Sequence, residues 1–240
     1  MTIANCTLIT GASKGIGRAI AEKVHADGGH VVGIARSGDN AFPGELVTVD
    51  LSDGDARRSA FAEIAGRYQI SRLVNNVGFN QMQRLEAITQ DRYEQVIDTN
   101  LGVMLDATQA FVGHMKQAQF GRVINMASRS LLGRKGGSAY AGAKAAMVGF
   151  TRSWALELAQ SGITVNCVAP GPIRTAMFER NNPPGSESRD TLLQSVPMQR
   201  MGEPEEVADL VQFLLSERAG FITGQTIFVC GGSSISQQHF

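Results

Sequence analysis

A tyrosine and a lysine placed four residues apart are the side chains of this sequence best suited to proton transfer. Tyr140 and Lys144 stand in the run Tyr-Ala-Gly-Ala-Lys, and the surrounding pattern predicts a helix, so both side chains share one helix face. A phenol, with an ordinary pKa of about 10, is a poor base at neutral pH, but a neighbouring ammonium lowers that pKa by stabilising the phenolate. The pair is therefore a candidate proton donor and acceptor. A solvated tyrosine beside a lysine is the alternative that the spacing alone leaves open.

A glycine-rich segment near the start of the chain is suited to binding a diphosphate. Residues 10–17 read Thr-Gly-Ala-Ser-Lys-Gly-Ile-Gly, after an apolar strand pattern and before a helix pattern. Glycines at 11, 15 and 17 allow a tight turn and a close approach to backbone N–H groups, and the helix N-terminus favours an anion. An ordinary glycine-rich strand-to-helix turn is the alternative.

Polar residues follow four of the predicted strands. They are Asp50, residues 75–78 (Asn-Asn-Val-Gly), residues 125–128 (Asn-Met-Ala-Ser) and residues 169–171 (Ala-Pro-Gly). Each could simply end a strand or cap a helix. Because the carboxyl ends of parallel strands meet at one edge of a sheet, where ligands of such sheets bind, we expect these residues to converge there.

Apolar strand patterns alternate with amphipathic helix patterns along the whole chain. Strands are predicted at 6–10, 30–35, 46–49, 73–75, 122–126, 163–168 and 226–229, and helices at 16–26, 55–68, 93–115, 139–159 and 205–215. This alternation predicts an α/β fold, a single doubly wound, Rossmann-type domain over 1–240, with a seven-stranded parallel sheet and helices on both faces. We expect residues 175–197 to leave the domain as a substrate lid.

Composition narrows the class of protein. The 240 residues carry 22 Lys and Arg against 22 Asp and Glu, so net charge gives no reason to bind nucleic acid or an anionic membrane. The three cysteines form no Cys-x-x-Cys pair, and no apolar run is long enough to span a membrane, so we expect neither a zinc site, a signal peptide nor a membrane span. We expect a cytoplasmic protein without a metal site.

Together these residues resemble the short-chain dehydrogenase/reductase family over essentially the whole chain. The matching elements, in the order of the family, are Thr10-Gly11-x-x-x-Gly15-x-Gly17, Asn75-Asn76-x-Gly78, Asn100, Ser128, Tyr140-x-x-x-Lys144 and Pro170-Gly171-x-x-x-Thr175. The resemblance implies reduction of a ketone or aldehyde to an alcohol, or the reverse, by hydride transfer with a bound nicotinamide cofactor and no metal.

The resemblance also implies a role for each matching residue. Tyr140 is the general acid or base, and Ser128 polarises the substrate oxygen. Lys144 lowers the pKa of Tyr140 and holds the nicotinamide ribose, and Asn100 holds a water that supplies protons to Lys144. The residues implied to contact the cofactor are Gly11, Ser13, Lys14, Gly15, Ile16, Gly17, Arg36, Asp50, Leu51, Asn76, Gly78, Tyr140, Lys144, Pro170, Gly171, Ile173 and Thr175.

Two positions depart from the family pattern. Val77 stands where the family usually has alanine, and Ser128 precedes Tyr140 by twelve residues, one fewer than expected. The loop at 129–137 is therefore expected to be one residue shorter, and Ser130 is the alternative to Ser128.

The end of the second predicted strand indicates which cofactor is preferred. Relatives that prefer NAD have an aspartate there for the ribose hydroxyls, whereas this chain has Ala35 followed by Arg36, with Lys14 in the glycine-rich turn. A carboxylate would repel a 2′-phosphate, and these two cations attract it. We predict NADP(H). Solvated surface charges are the alternative.

The sequence is less specific about the substrate. By the resemblance, the walls of the substrate site are Phe79, Asn80, Met82, Arg129, Leu131, Met177, Phe178 and Met198, which suits ketones of moderate size. Arg129, Arg134 and Lys135 could attract an acidic substrate or be solvated loop charges. The segment 202–232 looks most like the 3-oxoacyl-acyl-carrier-protein reductase branch, which acts on 3-oxoacyl thioesters.

Three further expectations concern alternatives and assembly. Gln119 and Ser161 stand where basic residues that dock a carrier protein are expected, so general carbonyl reduction is preferred over carrier-protein reduction. A regulator that binds NADP without turnover is a remote alternative, because the catalytic residues are intact. Apolar surfaces at 143–159, 207–215 and 221–229 predict a homotetramer.

Overall fold

The structure, a computed structural model, describes residues 3–236, except for the side chains of Ile3, Ala4, Met177, Arg180, Asn181 and Ser188. Its centre is one parallel sheet of seven strands in the order β3-β2-β1-β4-β5-β6-β7. The strands are β1 (Ile3–Thr10), β2 (His30–Ala35), β3 (Glu45–Thr48), β4 (Tyr68–Asn75), β5 (Gly121–Met126), β6 (Ile163–Pro170) and β7 (Thr226–Val229). The predicted doubly wound, Rossmann-type parallel sheet is confirmed.

Eight α-helices connect or follow these strands in the described part of the chain. They are α1 (Gly15–Ala26), α2 (Gly54–Arg67), α3 (Gln90–Ile97), α4 (Val103–Ala118), α5 (Ser138–Leu158), α6 (Ala176–Asn181), α7 (Glu187–Gln194) and α8 (Pro204–Leu215). In the described residues, no helix is both long and apolar enough to cross a membrane.

Apolar side chains cover both faces of the sheet. On one face, Phe61 of α2 and Phe111 of α4 are buried against the strands with their rings edge to face at 5.8 Å. On the other face, Ile20 of α1 packs in a cluster with Val207 and Val211 of α8. Strands β5 and β6 are buried along their whole length, which explains their continuous apolar sequences.

The chain order reverses beside β1, because β2 lies on one side of it and β4 on the other. Ligands of doubly wound sheets bind at such a switch point, beyond the carboxyl ends of the strands. The glycine-rich turn follows β1 and the Asn-Asn-Val-Gly segment begins at the end of β4, so the fold brings these two predicted elements together.

The structure differs from the sequence-based expectation in several element boundaries, among them the start of β4 at Tyr68 and not at residue 73. The helix predicted at 93–115 is two helices joined by a π-helical turn, Asp98–Gly102. Tyr68, expected in a helix, begins β4, because its ring is buried and stacks 5.8 Å from the His30 ring. Residues 175–197 include the short helices α6 and α7.

The apolar side of α8 is also more buried than the sequence analysis expected. Val207, Val211 and Leu214 pack inside the chain against α1 and the sheet. The large apolar side chains that stay exposed on the elements named for assembly are Leu156 at the end of α5 and Phe221 before β7.

Candidate active site

The glycine-rich turn is shaped by two positive backbone angles. Gly11 has φ +67° and Gly15 has φ +54°, and residues with a side chain rarely adopt this backbone conformation. At Gly17 an added Cβ would overlap the Gly11 carbonyl oxygen and lie 2.6 Å from Asn76 Nδ2. Helix α1 starts directly at Gly15, with no side-chain cap and no acidic residue in its first turn. The turn therefore presents free N–H groups and a positive helix end to an anion.

Asn76 and Thr10 fasten this turn to the end of β4. The Asn76 side-chain amide donates to the carbonyl oxygens of Thr10 at 3.0 Å and of Gly11 at 3.1 Å. The Thr10 hydroxyl accepts from the backbone N–H groups of Asn76 and Val77, both at 3.0 Å. These bonds fix the turn before any ligand binds, and they show why the Asn-Asn-Val-Gly segment matters beyond ending a strand.

Tyr140 lies in the first turn of α5 and meets Ser128, which follows β5. Burial raises the pKa of the Tyr140 phenol, while a hydrogen bond from Ser128 and the charge of Arg134 oppose that rise. Ser128 Oγ also accepts from the Ser130 backbone N–H at 3.2 Å, which begins a short 3-10 helix. The structure thus brings the Ser128 hydroxyl to the tyrosine.

Lys144 lies one turn after Tyr140 and is almost fully buried. Its Nζ donates to the Met126 carbonyl oxygen at 2.8 Å and lies 5.5 Å from the centre of the Tyr140 ring. Burial lowers the pKa of this ammonium to about 8, with a small opposing effect from Cys167. The Tyr140 ring and the Lys144 ammonium thus lie one turn apart on α5, and the end of β5 also holds the ammonium.

Asn100 is fully buried in the π-helical turn between α3 and α4. Its side-chain amide donates to the carbonyl oxygens of Phe79 and Val96, both at 2.8 Å, whereas Oδ1 has no partner among the described residues. A Cβ at Gly78 would lie 3.2 Å from this Oδ1 and 3.4 Å from Lys144 Nζ. Asn100 and Lys144 therefore approach the same point, which the missing side chain of Gly78 leaves open.

Arg57 supports the π-helical turn, a feature that sequence reasoning missed. It is buried, and its guanidinium donates to Asp98 at 2.9 and 3.1 Å, to Asp106 at 2.6 Å and to the Leu51 carbonyl oxygen at 3.0 Å. Both carboxylates raise the pKa of Arg57, and burial opposes them. The clamp joins the loop after β3 to the turn that carries Asn100. The clamp is visible only in the folded protein, because Asp98 and Asp106 lie 41 and 49 positions after Arg57 in the sequence.

A second buried network lies beneath the site. The Asn75 side chain donates to Asn125 Oδ1 at 2.9 Å and to the Thr108 hydroxyl at 3.2 Å, and Asn125 donates to the Thr151 hydroxyl at 2.9 Å. It links β4 and β5 to α4 and α5, the helix that carries Tyr140. The network holds the tyrosine helix at a fixed position on the sheet.

The two cations expected beside a 2′-phosphate are both exposed. Arg36 directly follows β2 and is exposed, as is Lys14, the residue before α1. Asp50, two residues after β3, is held by the backbone N–H and hydroxyl of Ser52, and these bonds, with a weaker effect of Arg36, lower its pKa. Leu51 is buried beside it.

The segment after β6 faces the glycine-rich turn. Gly171 lies so close to β7 that a Cβ would be 2.7 Å from Cys230 Cα, and Ile173 is buried and bridged to Gly202. Thr175 caps α6 by accepting from the Phe178 N–H at 3.2 Å. Its Cγ2 lies 3.1 Å from the Cβ position of Gly15. Pro170 is the last residue of β6, so the Pro170-to-Thr175 segment closes the other side of the cleft.

The expected substrate walls are brought together only in part. Met82 packs against the loop before α5, with Sδ 3.5 Å from the Cβ position of Gly137, and Gln83 bridges to Gly137. Met198 instead lines a cavity of about 460 Å³, and neither Ser128 nor Tyr140 lines that cavity. The Met177 side chain lies outside the described part of the structure. Within that part, no group of three or more metal-binding side chains occurs.

Comparison with known proteins places this geometry in a family. Residues 11–234 match the family model described as enoyl-(acyl carrier protein) reductase. The (2S)-[(R)-hydroxy(phenyl)methyl]succinyl-CoA dehydrogenase subunit of Thauera aromatica is 35% identical, over 95% of this chain and 96% of the relative. A 3-oxoacyl-[acyl-carrier-protein] reductase of Vibrio harveyi is 38% identical, over 94% of this chain and 95% of the relative.

Solved structures give the same result. Aldohexose dehydrogenase of Thermoplasma acidophilum superimposes with a TM-score of 0.90 at 30% identity, covering 100% of this chain and 96% of that one. A putative NAD(P)-dependent gluconate 5-dehydrogenase of Beutenbergia cavernae, with bound NADP, gives 0.89 at 32% identity, covering 98% and 99%. With the matched motifs and the parallel sheet, these similarities show that the chain belongs to the short-chain dehydrogenase/reductase family.

Proposed function

We propose that this oxidoreductase uses NADP(H) to reduce a ketone or aldehyde to an alcohol, or catalyses the reverse reaction. The observation that carries the proposal is the convergence of Ser128, Tyr140 and Lys144 at the carboxyl edge of the sheet, beside a glycine-rich turn with free N–H groups. A dinucleotide fits this cleft, because the glycines leave room for a diphosphate and the unpartnered Asn100 Oδ1 faces the same opening as Lys144.

Tyr140 is the proton donor in the reduction. When bound, the nicotinamide supplies the hydride that forms the new C–H bond at the carbonyl carbon. Tyr140 then gives its phenolic proton to the carbonyl oxygen, and the Ser128 hydroxyl donates a hydrogen bond to that oxygen as negative charge develops on it. In the reverse direction Tyr140 accepts the proton of the alcohol.

Lys144 and Asn100 return a proton to Tyr140. The ammonium of Lys144 has a pKa lowered to about 8 by burial, so it releases a proton near neutral pH more readily than an exposed lysine. Asn100 Oδ1, close to the same point as Lys144 Nζ, accepts a hydrogen bond from a water that relays the proton from solvent. Lys144 also holds the nicotinamide ribose.

The remaining cofactor contacts follow the cleft. The glycine-rich turn would hold the diphosphate, the residues that follow β2 and β3 would hold the adenosine, and Tyr140 and Thr175 would contact the nicotinamide. The residues that we propose to hold it are Gly11, Ser13, Lys14, Gly15, Ile16, Gly17, Arg36, Asp50, Leu51, Asn76, Gly78, Tyr140, Lys144, Pro170, Gly171, Ile173 and Thr175. Exposed Lys14 and Arg36 favour NADP(H) by attracting the 2′-phosphate.

Reduction of a 3-oxoacyl chain on a carrier protein is the second candidate. It is favoured by relatives named as 3-oxoacyl-[acyl-carrier-protein] reductases at 36% to 38% identity. It is less favoured by Gln119 and Ser161, which are uncharged where docking cations are expected. Intact catalytic residues favour turnover over a purely regulatory role.

Assembly, lid and location complete the proposal. Exposed Leu156 and Phe221 favour a homotetramer. Light scattering tests this assembly, and the expected mass is about four times the 25.6 kDa mass of the chain.

Residues 175–197, with α6 and α7, form the substrate lid. The three cysteines form no disulfide with one another in the described residues, which fits the reducing conditions of the cytoplasm.

The test of cofactor and reaction is NADPH oxidation against NADH oxidation with a panel of ketones and aldehydes. We expect kcat/KM to be at least about tenfold higher with NADPH, since loss of one charged contact to the 2′-phosphate costs about 1.5–3 kcal/mol. The Arg36→Asp variant should reverse this preference. The Arg152→Asp variant, on an exposed turn of α5, makes the same charge change as a control. Equal use of both cofactors by the parent protein would contradict the NADP(H) assignment.

A further inference from the structure

The loop between Ser128 and Tyr140 carries cations that have no acidic partner. Arg129, Arg134 and Lys135 lie between Ser128 and the start of α5. Across the described residues, none of the three makes an ion pair. In a chain of zero net charge, these three cations form a local excess of positive charge beside the site, which attracts anions.

Two of the chain segments around Tyr140 contain no acidic residue. No Asp or Glu occurs between Asp106 and Glu157, which includes β5, the loop at 129–137 and most of α5. The segment between Glu63 and Glu86, which contains the facing loop after β4, has none either. The positive charge on this side of the entrance is therefore not neutralised by neighbours in the chain.

The arginines on either side of the lid, unlike those of the loop, do form ion pairs. Arg174 forms an ion pair with Glu203 at 2.9 Å, and Arg200 forms one with Glu206 at 2.7 Å. These arginines are already neutralised. The three cations of the loop next to the reacting tyrosine are not neutralised in this way.

Arg134 is the cation of this loop whose charge reaches the site. Its Cγ and Cδ lie 3.6 Å from the Cβ position of Gly137, beside Met82. Its charge stabilises the phenolate of Tyr140 and opposes the effect of burial on that pKa. A guanidinium that acts on the phenolate oxygen also acts on an anion held next to it.

Arg129 is fixed at the opposite end of the loop. One guanidinium nitrogen donates to the Ser233 carbonyl oxygen at 3.2 Å, which holds the side chain against the turn after β7. Lys135 is exposed and next to Arg134. The loop therefore offers one anchored guanidinium, one guanidinium near the tyrosine, and one exposed ammonium.

We propose that the substrate is an anionic ketone, whose carboxylate or phosphate group binds Arg134, with Arg129 and Lys135, while its carbonyl meets Tyr140 and Ser128. This inference rests on the proposed function and names the substrate class of the same site. Guanidinium groups bind carboxylates and phosphates through paired N–H groups, so they fix the orientation of the substrate as well as attract it.

The test compares matched pairs of compounds with NADPH. The pairs are a 3-oxo and a 4-oxo carboxylate with their methyl esters, and dihydroxyacetone phosphate with dihydroxyacetone. We expect kcat/KM to be about tenfold higher for the anion at low ionic strength, with the ratio falling towards one at about 0.5 M salt. The carboxylate and phosphate pairs show which anion is preferred.

Variants assign the preference to the loop. Arg134→Gln should lower the anion-to-neutral ratio about fivefold or more, and any change that it causes in the pKa of Tyr140 cancels in that ratio. Arg152→Gln removes the same charge from α5. Arg152 lies twelve residues, or about 18 Å, from Tyr140 along that helix, so this variant should keep the parent ratio.

The outcomes separate this proposal from the function on which it rests. Equal kcat/KM within each pair overturns the anion proposal and leaves the carbonyl reductase standing. Faster turnover of a carrier-bound 3-oxoacyl chain, lost in Arg134→Gln, overturns it in favour of an acidic carrier.

If no compound is reduced, the proposed function fails. Calorimetry of the keto acids with the Tyr140→Phe protein and NADPH then decides the anion site: salt-sensitive binding that needs Arg134 supports it, and no binding overturns it.

Discussion

Replacing Lys144 by methionine is expected to stabilise the protein while removing its chemistry. The side chain is 2% exposed, and its ammonium is bound to one carbonyl oxygen, that of Met126, with the Met147 sulfur at 3.6 Å. None of the ion pairs between described residues includes it. Burial accordingly lowers its pKa from 10.5 to about 8. The folded protein holds an ammonium where an apolar group would be more stable.

The size of the effect follows from that pKa. One pKa unit equals about 1.36 kcal/mol, so at pH 7 the buried ammonium of Lys144 destabilises the folded state by about 3 kcal/mol. Methionine keeps the apolar stem but loses the hydrogen bond to the Met126 carbonyl oxygen, which is worth about 1 kcal/mol. The net gain of about 2 kcal/mol should raise Tm by about 4–8 °C.

The gain should also depend on pH. Between pH 8 and 10.5 the unfolded chain holds a proton on Lys144 that the folded protein has released, so the parent protein gains stability as pH rises through this window. The advantage of the variant should therefore be largest below pH 8 and disappear near 10.5. Urea unfolding of the cofactor-free proteins at three pH values measures it, with exposed Lys116→Met as control. A less stable variant at pH 7, or a difference independent of pH, would refute the reasoning.

Three further changes test the parts that position the site. Gly17→Ala should weaken NADPH binding at least about tenfold in fluorescence titration, because its Cβ overlaps the turn, whereas Gly66→Ala, with open space around it, should be neutral or stabilising. Arg57→Met should lower the free energy of unfolding by about 2–3 kcal/mol in urea, since two carboxylates lose their partner; an unchanged midpoint would argue against the clamp. Asn125→Leu should cost about 2–3 kcal/mol in the same assay by leaving the Thr151 network unpaired, and a neutral result would show that the network does not hold α5.

Local patterns were sufficient to predict the sheet. Strands such as β5 and β6 are buried on both faces, so their apolar runs are continuous and easy to recognise. That Tyr140 and Lys144 share one helix face could be predicted from their four-residue spacing within α5 alone. These features depend on residues close together in the sequence.

The missed features depend on contacts between distant residues. The π-helical turn at Asp98–Gly102 has an ordinary helical sequence, and its carboxylate is held by Arg57, 41 residues earlier. Tyr68 fits the end of a helix pattern, but its ring is buried beside His30 of a neighbouring strand. The hydrogen bond from Lys144 to the Met126 carbonyl oxygen joins α5 to the end of β5, and spacing within α5 does not reveal it.

The measurement that tests the central claim most directly is the rate of NADPH-dependent ketone reduction by Tyr140→Phe. The variant keeps the ring and removes only the phenolic hydroxyl, so NADPH binding by fluorescence should stay within about threefold of the parent. The account predicts a rate lower by about 10²–10⁴-fold, the usual contribution of a positioned general acid. A variant that binds NADPH normally and keeps the parent rate would contradict the assignment of Tyr140 as the proton donor.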